Sequence, residues 1–158
     1  MTRMPGTTTG RLLSFKLERW HRRSVYATGI LLLLSGAAWL VLRYFLRPVT
    51  EFGESVNPLE PWAMKLHGAA AMAALFFVGS LLHHHVRRAL RAGRNALTGW
   101  AMIATLSFLS LTGYGLYYVA GESDRPVWSL LHWSVGFAVA VLFVVHVLVG
   151  RRSVQDVG

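Results

Sequence analysis

The segment VWSLLHWSVGFAVAVLFVVHVLV, Val127 to Val149, decides how the chain is read. It holds no Asp, Glu, Lys or Arg, and a helix of about 20 apolar residues crosses the roughly 30 Å hydrocarbon layer of a bilayer. Backbone polar groups find no water there, so the segment must close its own hydrogen bonds as a helix. Two histidines interrupt it, His132 and His146, although an imidazole in hydrocarbon is costly. Their fourteen-residue spacing separates them by about 21 Å at 1.5 Å per residue. The same spacing falls about 40° short of four full turns, so both rings leave one helix face. The segment therefore offers two imidazoles to the same neighbours, one near each membrane surface, which suits two metal centres stacked across a bilayer.

Three further apolar stretches lie upstream, Val25 to Leu42, Ala63 to Leu82 and Leu97 to Val119. With 54% hydrophobic and 15% charged residues in 158 and a mean hydropathy of +0.43, the chain is too apolar for a water-soluble domain. The expectation is an all-α integral membrane protein, a four-helix up-down-up-down bundle with short loops. A polar arm fills residues 1–19, becoming a short interfacial helix around Leu12 to Trp20; the bundle fills 20–152, and a tail follows at 153–158. Ser35-Gly36-Ala37-Ala38 resembles a signal-peptide cleavage region, but the apolar run continues to Leu42, which favours a retained helix. Trp20, Trp39, Trp62, Trp100 and Trp128 stand near span ends, as interfacial aromatic belts do.

The net charge of +9 follows membrane topology. Arg3, Arg11, Lys16, Arg19, Arg22 and Arg23 precede the first span, Arg87, Arg88, Arg91 and Arg94 follow the second, and Arg151 and Arg152 follow the fourth. The other two loops hold Arg43, Arg47, Lys65 and Arg125 beside Glu51, Glu54, Glu60, Glu122 and Asp124. The positive-inside rule puts both termini and the loop Arg87–Asn95 in the cytoplasm. Of the outer loops, Pro48 to Pro61 is the longest, with an Asn57-Pro58 turn signal, and Gly121 to Pro126 is tight. No aromatic-interleaved basic face accompanies the arginines, which argues against nucleic acid. Cysteine is absent, excluding disulfides, cysteine-ligated zinc, iron–sulfur clusters and covalent c-type haem. Any redox cofactor then depends on histidine.

A haem iron held by two imidazoles needs one histidine from each of two facing helices at equal depth. His67 opens the second span as His132 opens the fourth, which makes them an outer pair. For His146 two inner partners stand open. His21 lies just before the first apolar stretch, and His85 shares a face with His67 five turns away, although about 27 Å from it. His83 and His84 form an interfacial polar cluster. The triplet His83 to His85 offers imidazoles to a divalent metal, but neighbours on a helix point about 100° apart and make a poor single site. Gly29 and Gly36, Gly68 and Gly79, and Gly136 either let helices approach closely or leave room for a flat macrocycle.

From about residue 17 to 152 the chain resembles the bacterial di-haem cytochromes b, the membrane subunits of formate dehydrogenases and nickel–iron hydrogenases with their free-standing relatives. The likeness rests on Glu18-Arg19-Trp20-His21 before a helix with Ser35-Gly36, on Leu66-His67-Gly68, on Arg94-Asn95 leading to Thr112-Gly113, and on Leu131-His132-x-x-x-Gly136 with His146. The resemblance implies two haem b groups, the outer one on His67 and His132 and the inner one on His21 and His146, with His85 as the alternate. It also implies location in the bacterial inner membrane and a quinone, ubiquinone or menaquinone, near the inner haem, with His83 or His84 as proton acceptor. The chain is then expected to relay electrons between quinone and a periplasmic or membrane redox partner docked on Glu51, Glu54 and Glu60, as the electron-transfer subunit of an oxidoreductase. Two other readings stand beside this one: a free-standing superoxide:quinone oxidoreductase, and a haem-free metal-handling or assembly protein.

Overall fold

The computed structural model describes residues 19–81 and 96–155, with side chains up to residue 150. The N-terminal arm, the loop Arg87–Asn95 and the candidate residues His83, His84 and His85 lie outside the described residues. The elements are α1 (Arg19–Phe45), β1 (Val49–Thr50), β2 (Gly53–Glu54), α2 (Glu60–Leu81), α3 (Ala96–Tyr118) and α4 (Arg125–Gln155). All four helices are long and apolar enough to cross a membrane, in agreement with the four stretches read from sequence. They outrun those stretches at their ends. α1 takes in Arg19, Arg22, Arg23 and Arg43, whose long stems let a charged head reach water from a helix terminus. α4 runs through Ser153 to Gln155, beyond the boundary at which a tail was expected.

The distribution of side chains suits lipid. The described residues nearest full burial are small or polar, among them Ser35, Ala70 and Thr112 at 2–4% exposure, whereas Leu34, Phe76, Leu111 and Val141 are more than 60% exposed. In water such an outer surface would drive aggregation. In a bilayer lipid tails are as apolar as leucine, and helices associate through small and hydroxyl residues that let backbones approach.

The helices pair as two hairpins: α1 lies along α2, α3 along α4, and α1 touches α4 more lightly. Within the first hairpin, contacts run in opposite chain order, from Arg47 with Glu60 through Ser35 with His67 to His21 with Ser80. The second repeats this antiparallel order, with Gly115 under Trp128, Thr112 on His132 and Thr98 on His146. Tyr26 meets Phe143 edge-on at 5.6 Å between the hairpins.

The loop joining α1 to α2 is more ordered than its prolines suggest. β1 and β2 form a small antiparallel ribbon, Val49 opposite Glu54 and Thr50 opposite Gly53. Gly53 takes φ = 101°, which a residue without Cβ adopts at little cost. Asn57-Pro58 does more than turn the chain. The Asn57 side-chain oxygen accepts the Leu59 N–H at 3.0 Å and Glu60 accepts the Asn57 N–H at 3.3 Å, a reciprocal capping box with proline at the first position.

Glu60 corrects one expectation. It is not a docking carboxylate: it is 4% exposed and takes a two-pronged bond from Arg47, Nε and Nη2 each at 2.8 Å, with Arg43 Nη1 at 4.0 Å. That bond holds the Arg47 guanidinium above its ordinary pKa. A planar guanidinium matches two carboxylate oxygens, so the pair ties the end of α1 to the start of α2, while Glu51 and Glu54 stay exposed. Removing one partner strands the other. Glu60→Ala is expected to lower the thermal midpoint of the detergent-solubilised protein by several degrees, followed by circular dichroism, while Glu51→Ala leaves it unchanged.

Candidate site of paired imidazoles

One level of the bundle gathers the chemistry. His67 from α2 and His132 from α4 bring their ring centroids to 6.3 Å with planes 77° apart, which places the expected outer pair side by side. Their surroundings match. His67 Nδ1 lies 3.0 Å from Ser35 Oγ and 3.1 Å from the Leu32 carbonyl. His132 Nδ1 lies 2.8 Å from Thr112 Oγ1.

Donor and acceptor inventory fixes the His67 tautomer and orders that of His132. A carbonyl only accepts, so His67 Nδ1 carries the proton and donates it to Leu32. The Ser35 hydroxyl spends its proton on the Leu31 carbonyl at 2.6 Å, leaving a lone pair for the same N–H. Thr112 has the Phe108 carbonyl at 3.0 Å for its own proton, and with the proton placed there its lone pair takes the His132 Nδ1–H. Both imidazoles then carry their lone pair on Nε2, the form in which histidine binds metal while its other nitrogen is held by an acceptor.

The same construction recurs deeper in the second hairpin. His146 Nδ1 lies 2.8 Å from Thr98 Oγ1, and Thr98 stands fourteen residues from Thr112 as His146 stands fourteen from His132. A glycine follows each hydroxyl and faces the same ring. A Cβ added at Gly36 would sit 3.2 Å from His67 Cε1, one at Gly113 would sit 3.4 Å from His132 Cε1, and one at Gly99 would sit 3.9 Å from His146 Cε1. The unit is a hydroxyl–glycine dipeptide on one helix of a hairpin and an imidazole on the other. The hydroxyl bonds Nδ1, and the glycine lets the ring lie against the helix.

This unit is what the sequence reading passed over. Ser35-Gly36 and Thr112-Gly113 enter the sequence analysis without a histidine assigned to either hydroxyl, and Thr98-Gly99 does not enter it. The signal was four hydroxyl–glycine pairs inside apolar spans, Thr28-Gly29 being the one that faces no described histidine, with the two on α3 set at the spacing of the histidines on α4. Gly29, Gly68, Gly79 and Gly136 do not pack closely on the described helices: an added Cβ at each meets no atom of the described residues within 4 Å. Of these, Gly68 follows His67 but lies exposed on the outer surface, and Gly136, one turn from His132, is half-buried.

His21 is built differently. Its Nε2 lies 3.3 Å from the Phe77 carbonyl and 3.1 Å from Ser80 Oγ, whose own proton goes to Phe77 at 2.7 Å. A carbonyl partner makes Nε2 the donor, so in this arrangement His21 presents its α2 neighbours with a proton rather than a lone pair. The structure brings His67 and His132 together; His21 rests on α2 and His146 on α3.

Rings 6.3 Å apart between centroids are close enough for one metal ion to bond both at ordinary metal–nitrogen distances of about 2.0–2.1 Å. Among the described residues no group of three or more His, Cys, Asp or Glu side chains gathers to hold a metal ion, so what the outer site offers is a pair of nitrogens. Such a pair fits a cofactor that brings its other ligands with it, as a porphyrin does. Compared with known proteins, the chain matches no family model, no curated protein and no solved structure.

The glycines supply a test independent of any cofactor. Gly36→Val drives a branched side chain into the His67 ring and is expected to cost about 1–3 kcal/mol, the usual penalty for overpacking. Gly29→Ala, in open space on the same helix, is expected to gain up to about 1 kcal/mol by removing backbone freedom from the unfolded chain. Unfolding in mixed micelles measures both.

Proposed function

We propose that this chain is a multi-pass electron carrier that holds b-type haem between His67 and His132 near one membrane surface and a second haem, with His146, near the other. The observation that carries the proposal is the outer pair: two imidazoles from different hairpins, 6.3 Å apart, each with Nδ1 held by an acceptor and Nε2 left as the ligating nitrogen. A b-type haem with both axial positions filled by imidazole exchanges single electrons and does not readily bind oxygen.

The chain's own residues supply position. Ser35 and Leu32 fix the His67 ring, Thr112 fixes His132, and Thr98 fixes His146. Because they lie on helices rather than loops, the nitrogens are held without a closing motion. For the inner partner of His146, the resemblance implies His21, whose Nε2 must leave Phe77 and Ser80 to serve; His85 is the alternate.

The proposed setting follows from charge. With an up-down-up-down bundle and both termini cytoplasmic, the arginine-rich ends of α1 and α4 face inward and the β1–β2 ribbon faces the periplasm of a bacterial inner membrane. A periplasmic or membrane redox partner then meets the exposed Glu51 and Glu54 rather than Glu60, and electrons pass to or from ubiquinone or menaquinone in the bilayer. A reading in which the histidines only tie helices together accounts for the Nδ1 bonds, but not for two half-buried imidazoles from different hairpins meeting at one level.

A reduced-minus-oxidised optical spectrum with haem per polypeptide tests this. The purified chain is expected to carry two b-type haems. His67→Ala, His132→Ala and His146→Ala are each expected to retain one, and His21→Ala compared with His85→Ala identifies the inner partner. A parent chain without haem contradicts the proposal.

A further inference from the structure

The two outer imidazoles are not held equally. The His67 N–H has two acceptors, Ser35 Oγ at 3.0 Å and the Leu32 carbonyl at 3.1 Å. The His132 N–H has Thr112 Oγ1 at 2.8 Å, and no other hydrogen bond from this nitrogen is seen among the described residues. Thr112 is itself 4% exposed and oriented by the bond its hydroxyl gives to Phe108. Its lone pair is thereby aimed at the ring, and Gly113 keeps the ring close.

Resting on the haem reading above, we propose that Thr112 is the positioning residue of the outer centre: it selects the Nδ1–H tautomer of His132 and sets how strongly that ring donates to iron. Ser35 plays the same part for His67 with the Leu32 carbonyl as a built-in substitute. Two consequences separate these residues. Without the Thr112 hydroxyl the buried N–H has no acceptor, and the ring regains one only by rotating or by moving its proton to Nε2. Either change removes the ligating lone pair from its place. Without the Ser35 hydroxyl the Leu32 carbonyl still holds the proton on Nδ1, and Nε2 stays available.

An acceptor on Nδ1–H raises the basicity of the ligating nitrogen and favours the more positive iron. Thr112→Val, equal in shape but unable to accept, is therefore expected to raise the midpoint potential of one haem. It is also expected to weaken outer-haem binding by about tenfold or more, within the roughly 10–100-fold range of losses seen when a group holding a metal ligand is removed. Ser35→Ala is expected to shift both quantities in the same direction by less. Thr112→Ser keeps the hydroxyl and restores the parental values. Thr112→Cys keeps a side chain of similar size with a weakly accepting sulfur and gives an intermediate shift, which serves as a milder variant where Thr112→Val folds poorly.

The experiment is potentiometric titration with haem titration and low-temperature electron paramagnetic resonance on the full chain in detergent, for the parent and the four variants. The ordered series Thr112→Val, Thr112→Cys, Ser35→Ala and parent, with rescue by Thr112→Ser, supports the assignment. A haem-loaded parent whose Thr112→Val and Thr112→Cys variants keep the parental potential, affinity and resonance overturns it, as does a Ser35→Ala shift equal to that of Thr112→Val. Failure of Thr112→Ser to rescue also overturns it, by showing that the methyl group rather than the hydroxyl matters. A parent that takes up no haem overturns the haem reading itself, and this inference with it.

Discussion

An imidazole placed among apolar helices must find an acceptor for its N–H, because no water supplies one. Much of this structure follows from meeting that need on one side of the ring only. Ser35, Thr98 and Thr112 each put an oxygen on Nδ1, and the glycine beside each hydroxyl removes the Cβ that would hold the ring away. At Ser35 and Thr112 a carbonyl one turn back stands ready for the hydroxyl proton, which leaves a lone pair for the ring N–H, and at His67 the Leu32 carbonyl fixes that tautomer. In the proposed haem reading, a bond that ties two helices together would also prepare a metal ligand.

The same need organises the bundle. Each hairpin joins a hydroxyl-bearing helix to a histidine-bearing one, α1 with α2 and α3 with α4, and the hairpins meet where His67 faces His132. Small and polar residues lie between helices and large apolar ones face outward, so hydrophobic collapse cannot be what sets the register. Polar contacts set it: Arg47 with Glu60 at one end of the first hairpin, Ser35 with His67 inside it, and the two threonine–histidine bonds in the second. Contact between the hairpins is light beside contact within them.

The four helices were legible in the sequence because length and hydropathy alone decide them, and their ends were not, since Arg19, Arg43 and the residues after Gly150 lie in helix although they are polar. The facing of His67 and His132 was legible from equal depth on parallel spans. The acceptors were not: a serine or threonine in an apolar span ordinarily bonds the preceding turn of its own helix, and all that marks these as more is the adjacent glycine and the repeat at histidine spacing. Glu60 was misread as exposed because its guanidinium partner lies thirteen residues away across a loop whose ribbon, built on Gly53 at positive φ, gives a weak signal. His21 shows the limit of depth matching. It lies in the first turn of α1, as expected, yet its ring bonds α2 through Nε2, a distinction that spacing does not carry.

The central claim is that His67 and His132 ligate one iron through both Nε2 atoms. Near-infrared magnetic circular dichroism of the oxidised chain, compared with its His132→Ala variant, addresses it most directly, because the charge-transfer band reports the axial ligands themselves. The account requires low-spin iron with two imidazole ligands in the parent, and loss of one such centre in the variant. A parent spectrum without a bis-imidazole centre, or a variant that keeps every centre of the parent, contradicts it.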